Sequence, residues 1–399
     1  MTDTIPFNLD AFVNRRNSGC AKWTYFGDDA IPMWVADMDF PVAPAITEAL
    51  QQRVSHGIFG YTMPSDDLKT LLVQRMKNRY NWDIQPDDIV YLPGVIPGIN
   101  MTARAIAQDG TVMIQTPVYH PFYETGIWSG TTMQYVPLTY TETEDGFTYA
   151  IDFDAFEAAI TPQTKLFLLC NPHNPIGRMW TAAELQRMGE ICVANDVYIC
   201  SDEIHCDLIL DDRTHVPIAT LAPEFAQRTV TLMAPSKTFN IPGLGFSFAI
   251  IQNPDLRRRF TDAGTGLIVM KFPQREMSFI NMMGHTAAEA AYRDGQTWLD
   301  SVLDYLRANR DYARAYIHDY LQPLKAATVE GTYLLWIDCR EANLPAEPGE
   351  FFREQANVAM NEGSSFGEDG TGFVRMNLAC TRDTLKTALE QMRDALDAR

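Results

Sequence analysis

Thr229-Val230-Thr231-Leu232-Met233-Ala234-Pro235-Ser236-Lys237-Thr238-Phe239-Asn240 joins a short apolar run to an abrupt stop. Thr229–Met233 has the length and composition of a strand buried in a parallel sheet. Pro235 and Ser236 break the run, and Lys237 falls where a strand edge meets a loop. Lysines are ordinarily solvated surface groups. This one has no other charged residue between Thr229 and Gln252. Apolar surroundings disfavour an ammonium, so Lys237 is a candidate for a lowered pKa and Schiff-base chemistry. The hydroxyl of Ser236, immediately before it, is placed to hold a phosphate.

Outward from this stretch the pattern alternates. Apolar runs at Thr111–Gln115, Met133–Leu138, Lys165–Cys170, Val197–Ser201 and Ser247–Ile251 predict further strands. Helical spacing at Tyr119–Trp128, Asp152–Ile160 and Ala182–Asn195 lies between most of them. Such alternation predicts an α/β fold, a mostly parallel sheet with helices on both faces. Sites in these sheets collect at the carboxyl ends of strands. Pro117-Val118-Tyr119, Asn171-Pro172-His173-Asn174-Pro175, Asp202-Glu203-Ile204-His205 and Ser236-Lys237 each end one apolar run.

Upstream, Ile31–Pro41 is apolar but punctuated by Asp37, Asp39 and two prolines, which predicts an extended segment laid against the body. Pro44–Val54 and Asp66–Tyr80 have helical spacing, with His56–Tyr61 as a loop between them. Gly94 and Pro97 mark a loop-to-helix turn that would aim the amides of Val95 and Ile96 at whatever lies over the helix start. Downstream, Asn281–Leu324 is helical. Gly331–Asp338 and Gly372–Leu378 resemble strands, and Gly349–Asn361 and Arg382–Ala398 helices, which predicts a smaller α+β domain.

The 399 residues suit two domains. A net charge of -19 argues against a nucleic-acid partner, and no apolar run is long enough for a membrane helix. Met1-Thr2-Asp3-Thr4 has no basic or apolar leader character, so no secretory signal is expected. The seven cysteines, Cys20, Cys170, Cys192, Cys200, Cys206, Cys339 and Cys380, are odd in number and form no CxxC pair. That pattern predicts reduced thiols in a cytoplasmic protein and no metal site.

Four motifs, Asn171–Gly177, Ser201–His205, Pro235–Asn240 and Gly372–Asn377, resemble those of the pyridoxal 5′-phosphate (PLP)-dependent aspartate-aminotransferase superfamily, in the same order. Met33–Phe40 and Ser201–Leu208 resemble its cystathionine β-lyase-like branch more narrowly. The resemblance runs end to end. It implies a seven-stranded, mostly parallel sheet in a large domain (46–285), a small C-terminal domain (286–399), and an arm (1–45) joining the latter. It also implies PLP as cofactor, with Lys237 as attachment point and base and Asp202 beside the ring nitrogen. Tyr119 would stack on the ring, Asn174 would hydrogen-bond its phenolate oxygen, and His205 would also contact the cofactor. Ser236 and the amides of Val95 and Ile96 would hold the phosphate, with Tyr61 supplied by the partner of a homodimer. Ala36, Asn174 and Arg375 would bind the substrate, the latter two at its carboxylate. Trp34–Ala36, the Tyr61 loop and Tyr123 would surround its side chain. The implied activity is carbon–sulfur β-elimination from an amino-acid substrate, with aminotransfer as the alternative. Two positions depart from the wider pattern: His205 replaces a common tyrosine, and Gly245 replaces a common phosphate-binding arginine.

Overall fold

The structure is a computed structural model that describes residues 7–27, 29–272, 275–278 and 280–399. The leader reading of Met1–Thr4 lies outside the described residues. Seven strands form the central sheet: β1 Ile89–Leu92, β2 Thr111–Thr116, β3 Thr132–Pro137, β4 Thr164–Cys170, β5 Tyr198–Asp202, β6 Thr229–Met233 and β7 Ser247–Ile250. Their order is β1-β7-β6-β5-β4-β2-β3. All neighbours are parallel except around β7, which runs antiparallel to β1 and β6. The expected mostly parallel seven-stranded sheet is therefore present.

Its strands are apolar on both faces because both faces are covered. Val112, Ile114, Leu166, Leu168, Val230 and Leu232 point into one core, while Met113, Phe167, Leu169 and Ile199 point into the opposite one. After the helices α1 Pro44–His56 and α2 Asp66–Tyr80, which pack elsewhere, α3 Val95–Ile106 lies directly on the sheet over the first core. Gly98 permits that approach, since a Cβ there would lie 2.8 Å from Leu232 Cδ2. The close contact brings the start of α3 over the carboxyl ends of the strands. Later helices are α4 Pro121–Ser129, α5 Ala182–Ala194, α6 Pro235–Thr238, α7 Met282–Asp294, α8 Gln296–Tyr320, α9 Pro348–Ala356 and α10 Arg382–Asp397.

The second sheet is antiparallel, with β8 Lys325–Ala326, β9 Leu334–Asp338, β10 Asn361–Glu362 and β11 Phe373–Asn377 in the order β8-β9-β11-β10. The extended N-terminal segment docks here, Ile31 and Pro32 pairing with Val358 and Ala359. This docking corrects the expected helix Gly349–Asn361. That helix ends at Asn357, in the left-handed region at φ 52°, and the chain continues as strand. A short polar side chain tolerates that conformation, and β-branched Val358 then suits a strand. Lys237 also differs from expectation: it sits in the helical turn α6, where Pro235 occupies the first position. The hairpin Thr139–Thr143/Gly146–Ala150 has no counterpart in the sequence reading.

Candidate active site

The carboxyl ends of the strands open into one cavity of about 400 Å³, a volume suited to a small organic ligand. Asp202 closes β5, Tyr119 follows β2, Asn174 follows β4, and Ser236 and Lys237 follow β6. Val95 and Ile96 open α3 after β1. Arg375 enters from the centre of β11, and Ala36 from the extended N-terminal segment. These nine residues, with His205, Gly245 and Trp34, all line the cavity. Tyr61 is the sequence-predicted site residue that does not: its side chain is 91% exposed. Tyr123 is also outside the lining; its hydroxyl donates to Phe366 O at 2.7 Å.

Lys237 Nζ donates to Ala36 O at 2.7 Å. Burial, then the charge of Arg375, lowers its pKa to about 8, against the opposing pull of Asp37 and Asp202. Asp202 is buried, and its Oδ1 accepts the Ile204 N–H at 3.1 Å. Burial pushes its carboxyl up to about 7, and among the described residues it has no ion-pair partner. His205 is buried, and burial, then Lys237 and Arg375, push it well down, so its ring is neutral. Its Nδ1 is buried without a hydrogen-bond partner.

Arg375 donates to Asn174 Oδ1 at 2.9 Å, Trp34 O at 2.9 Å and Asn361 Oδ1 at 2.6 Å, with Phe366 stacked against the guanidinium. Its Nε is buried and has no hydrogen-bond partner among the described residues. Burial lowers its pKa to about 10, so it keeps its charge. Gly245 has φ 62°, where an arginine would be strained. The backbone conformation thus explains why glycine stands at this position. Asn361, Phe246 and His120 also line the cavity and escaped the sequence reading. His120 directly follows Tyr119, which was the available signal; Asn361 and Phe246 carried none.

The donor set fits PLP by its own chemistry. Asp202 lacks a cation, Lys237 is an amine near neutrality, and the start of α3 with Ser236 offers donors to an anion. Arg375 still has an unpartnered donor for a carboxylate.

The chain belongs to the aminotransferase class I and II family, which it matches over residues 29–392. Two curated relatives refine the comparison. It is 38% identical over 397 residues to cystathionine beta-lyase PatB of Bacillus subtilis, covering 98% of this chain and 100% of the relative. Protein MalY of Escherichia coli is 32% identical over 401 residues, covering 98% and 99%. Among solved structures, cystalysin from Treponema denticola, which contains a pyridoxal 5′-phosphate cofactor, superposes with a TM-score of 0.91 at 33% identity. That match covers 98% of this chain and 99% of that one. The fold is that of the PLP-dependent transferases.

Proposed function

We propose that this protein is a PLP-dependent carbon–sulfur β-lyase, releasing a thiol, pyruvate and ammonia from an L-cysteine S-conjugate or cystathionine. The observation that carries this reading is the convergence of Lys237, unpaired Asp202 and Arg375 on one cavity. The name of the Bacillus subtilis relative, a cystathionine beta-lyase, favours β-elimination over aminotransfer.

When bound, PLP supplies an electron sink that depends on a protonated ring nitrogen. Asp202 is the carboxylate that holds that proton. Lys237 attaches the cofactor and, once free, takes the substrate's α-proton. Tyr119 is a stacking platform, and neutral His205 with Asn174 supplies polar contacts at the ring's edge. Ser236 and the Val95 and Ile96 amides hold the phosphate. Arg375, Asn174 and the backbone of Ala36 orient the carboxylate. Loss of the Cα proton and of the Cβ–S bond pair then gives thiolate and an unsaturated amine, which water converts to pyruvate and ammonia.

Incubation of the holoenzyme with cystathionine and S-substituted cysteines should yield thiol and pyruvate together. A new amino acid from an amino acid/2-oxo acid pair, without thiol release, would replace this reading with aminotransfer.

We infer that the active unit is a homodimer in which Tyr61 reaches the partner's cavity. Ile58, Phe59, Tyr61, Met63 and Leu267 are all strongly exposed, as expected of an apolar surface covered in an assembly. Mixing Tyr61→Ala with Lys237→Ala chains should rebuild roughly a quarter of the sites, because half of randomly paired dimers are mixed and each holds one intact site. No recovery after subunit exchange would refute sharing. All seven cysteines are free, which supports a reducing, cytoplasmic setting. Among the described residues no helix is long and apolar enough to cross a membrane. We place residues 46–285 in a large domain and 286–399, with the arm before residue 46, in a small one. The helix α7 spans that boundary and packs on α1 and α2.

A further inference from the structure

The segment Trp34–Phe40 lines the cavity with its first three residues, Trp34, Val35 and Ala36, and side chains hold its carbonyls. Asn240 holds Met38 O and Phe40 O, Asn377 holds Val35 O and Asp37 O, and Arg375 holds Trp34 O. Ala36 O is shared by two donors: Lys237 Nζ donates to it at 2.7 Å and Tyr333 Oη at 2.8 Å. Tyr333 is fully buried, and its ring packs edge-on to His205 with centroids 6.0 Å apart.

We propose that Tyr333 is a positioning residue that keeps the Ala36 carbonyl as a dock for the Lys237 amine, aiming that amine at the substrate Cα once it is free. The inference rests on the reading that Lys237 carries the α-proton.

A free lysine amine sits on four rotatable carbons and loses precision unless something receives one of its N–H groups. Proton transfer needs donor and acceptor within hydrogen-bond reach. A carbonyl has two lone pairs, enough for the amine and one further donor. Tyr333 takes the second, which fixes the carbonyl's direction. Sharing also weakens the acceptor for an ammonium, whose demand is greater than that of an amine. The arrangement therefore favours the neutral form that a base requires. The other charged and titratable groups around Lys237 pull both ways: Asp37 and Asp202 favour the ammonium, Arg375 opposes it, and His205 is neutral.

Tyr333→Phe keeps the ring and removes the shared donor. In the holoenzyme kcat should fall on the order of tenfold with KM little changed, a part of what a positioned base contributes. The limb of kcat that rises with pH should move to higher pH. In the cofactor-free protein, the pH midpoint for labelling Lys237 with an amine-reactive reagent, followed by mass spectrometry, should rise as well. Incorporation of 3-fluorotyrosine at 333, which retains the donor, should restore both. An unmoved labelling midpoint, or a kcat limb unchanged from wild type, overturns the proposal. Failure of the wild type to release thiol would sink the lyase reading alone, because the labelling needs no substrate and α-hydrogen exchange in deuterated water serves any amino acid.

Discussion

Asp202 and Asp207 are both buried carboxylates, five residues apart at the end of the same strand, yet they are opposites. Asp207 accepts from Arg75 at 2.7 Å, Arg79 at 3.2 Å, Tyr80 at 3.1 Å and Thr238 at 3.2 Å. Burial raises its pKa, but Arg75 and Arg79 outweigh burial and the net shift is downward. Asp202 has a backbone N–H and no comparable cation, so burial prevails and its carboxyl rises to about 7. One carboxylate is complete within the chain; the other waits for a charge from outside. A carboxylate left uncompensated in a cavity is the signature of a ligand site, whereas a satisfied one is architecture. The two are linked through adjacent residues, since Thr238 ties Asp207 to the turn that carries Lys237.

The comparison can be broken at several points. Lys237→Ala should abolish turnover, by roughly 10³- to 10⁴-fold as for loss of a positioned base, with the visible absorbance of bound cofactor lost too; retained activity would remove the centre of the site. Asp202→Asn should cost on the order of 10²-fold or more in kcat, the scale of a lost electrostatic stabiliser, without destabilising the cofactor-free protein. Asp207→Asn should do the reverse. It strands Arg75 and Arg79 and should destabilise by about 3–5 kcal/mol, the usual cost of removing one partner of a buried pair, visible as an earlier urea midpoint. Equal destabilisation by both variants would erase the distinction.

The smallest effect is in the pH dependence of stability. The folded-state pKa of Asp202 lies above its ordinary value of 3.8, so the folded chain keeps a proton that the unfolded chain has released. Its contribution should make the cofactor-free protein less stable as pH rises from about 3.8 to about 7. Asp207, with a lowered pKa, contributes stability above the ordinary carboxylate range that is lost as pH falls below it. Urea midpoints across this range should show a flatter decline in Asp202→Asn than in wild type; an identical slope would contradict the shift.

Much of this was legible in the chain. The apolar runs located six of the seven central strands to within a residue or two, because strands buried on both faces must be apolar throughout; Ile89–Leu92 was not read as a strand. The residues following each run named the chemistry, since strand ends converge on one side of a parallel sheet. The helix Gly349–Asn361 was overextended because Ile31–Pro32, more than 300 residues upstream, claims Val358–Ala359 as a partner. Tyr61 was named without a place, since its own chain leaves it exposed.

Local pattern therefore determined the sheet, the order of its strands' chemical endings, and the lysine and carboxylate that face each other. Tertiary contact alone decided that Asp207 is neutralised while Asp202 is not, that Asn361 braces Arg375, and that Tyr333 shares a carbonyl with Lys237. The physical reason is range. Periodicity and chain breaks are properties of neighbours along the chain, whereas the pKa of a buried group depends on charges brought to it from distant segments.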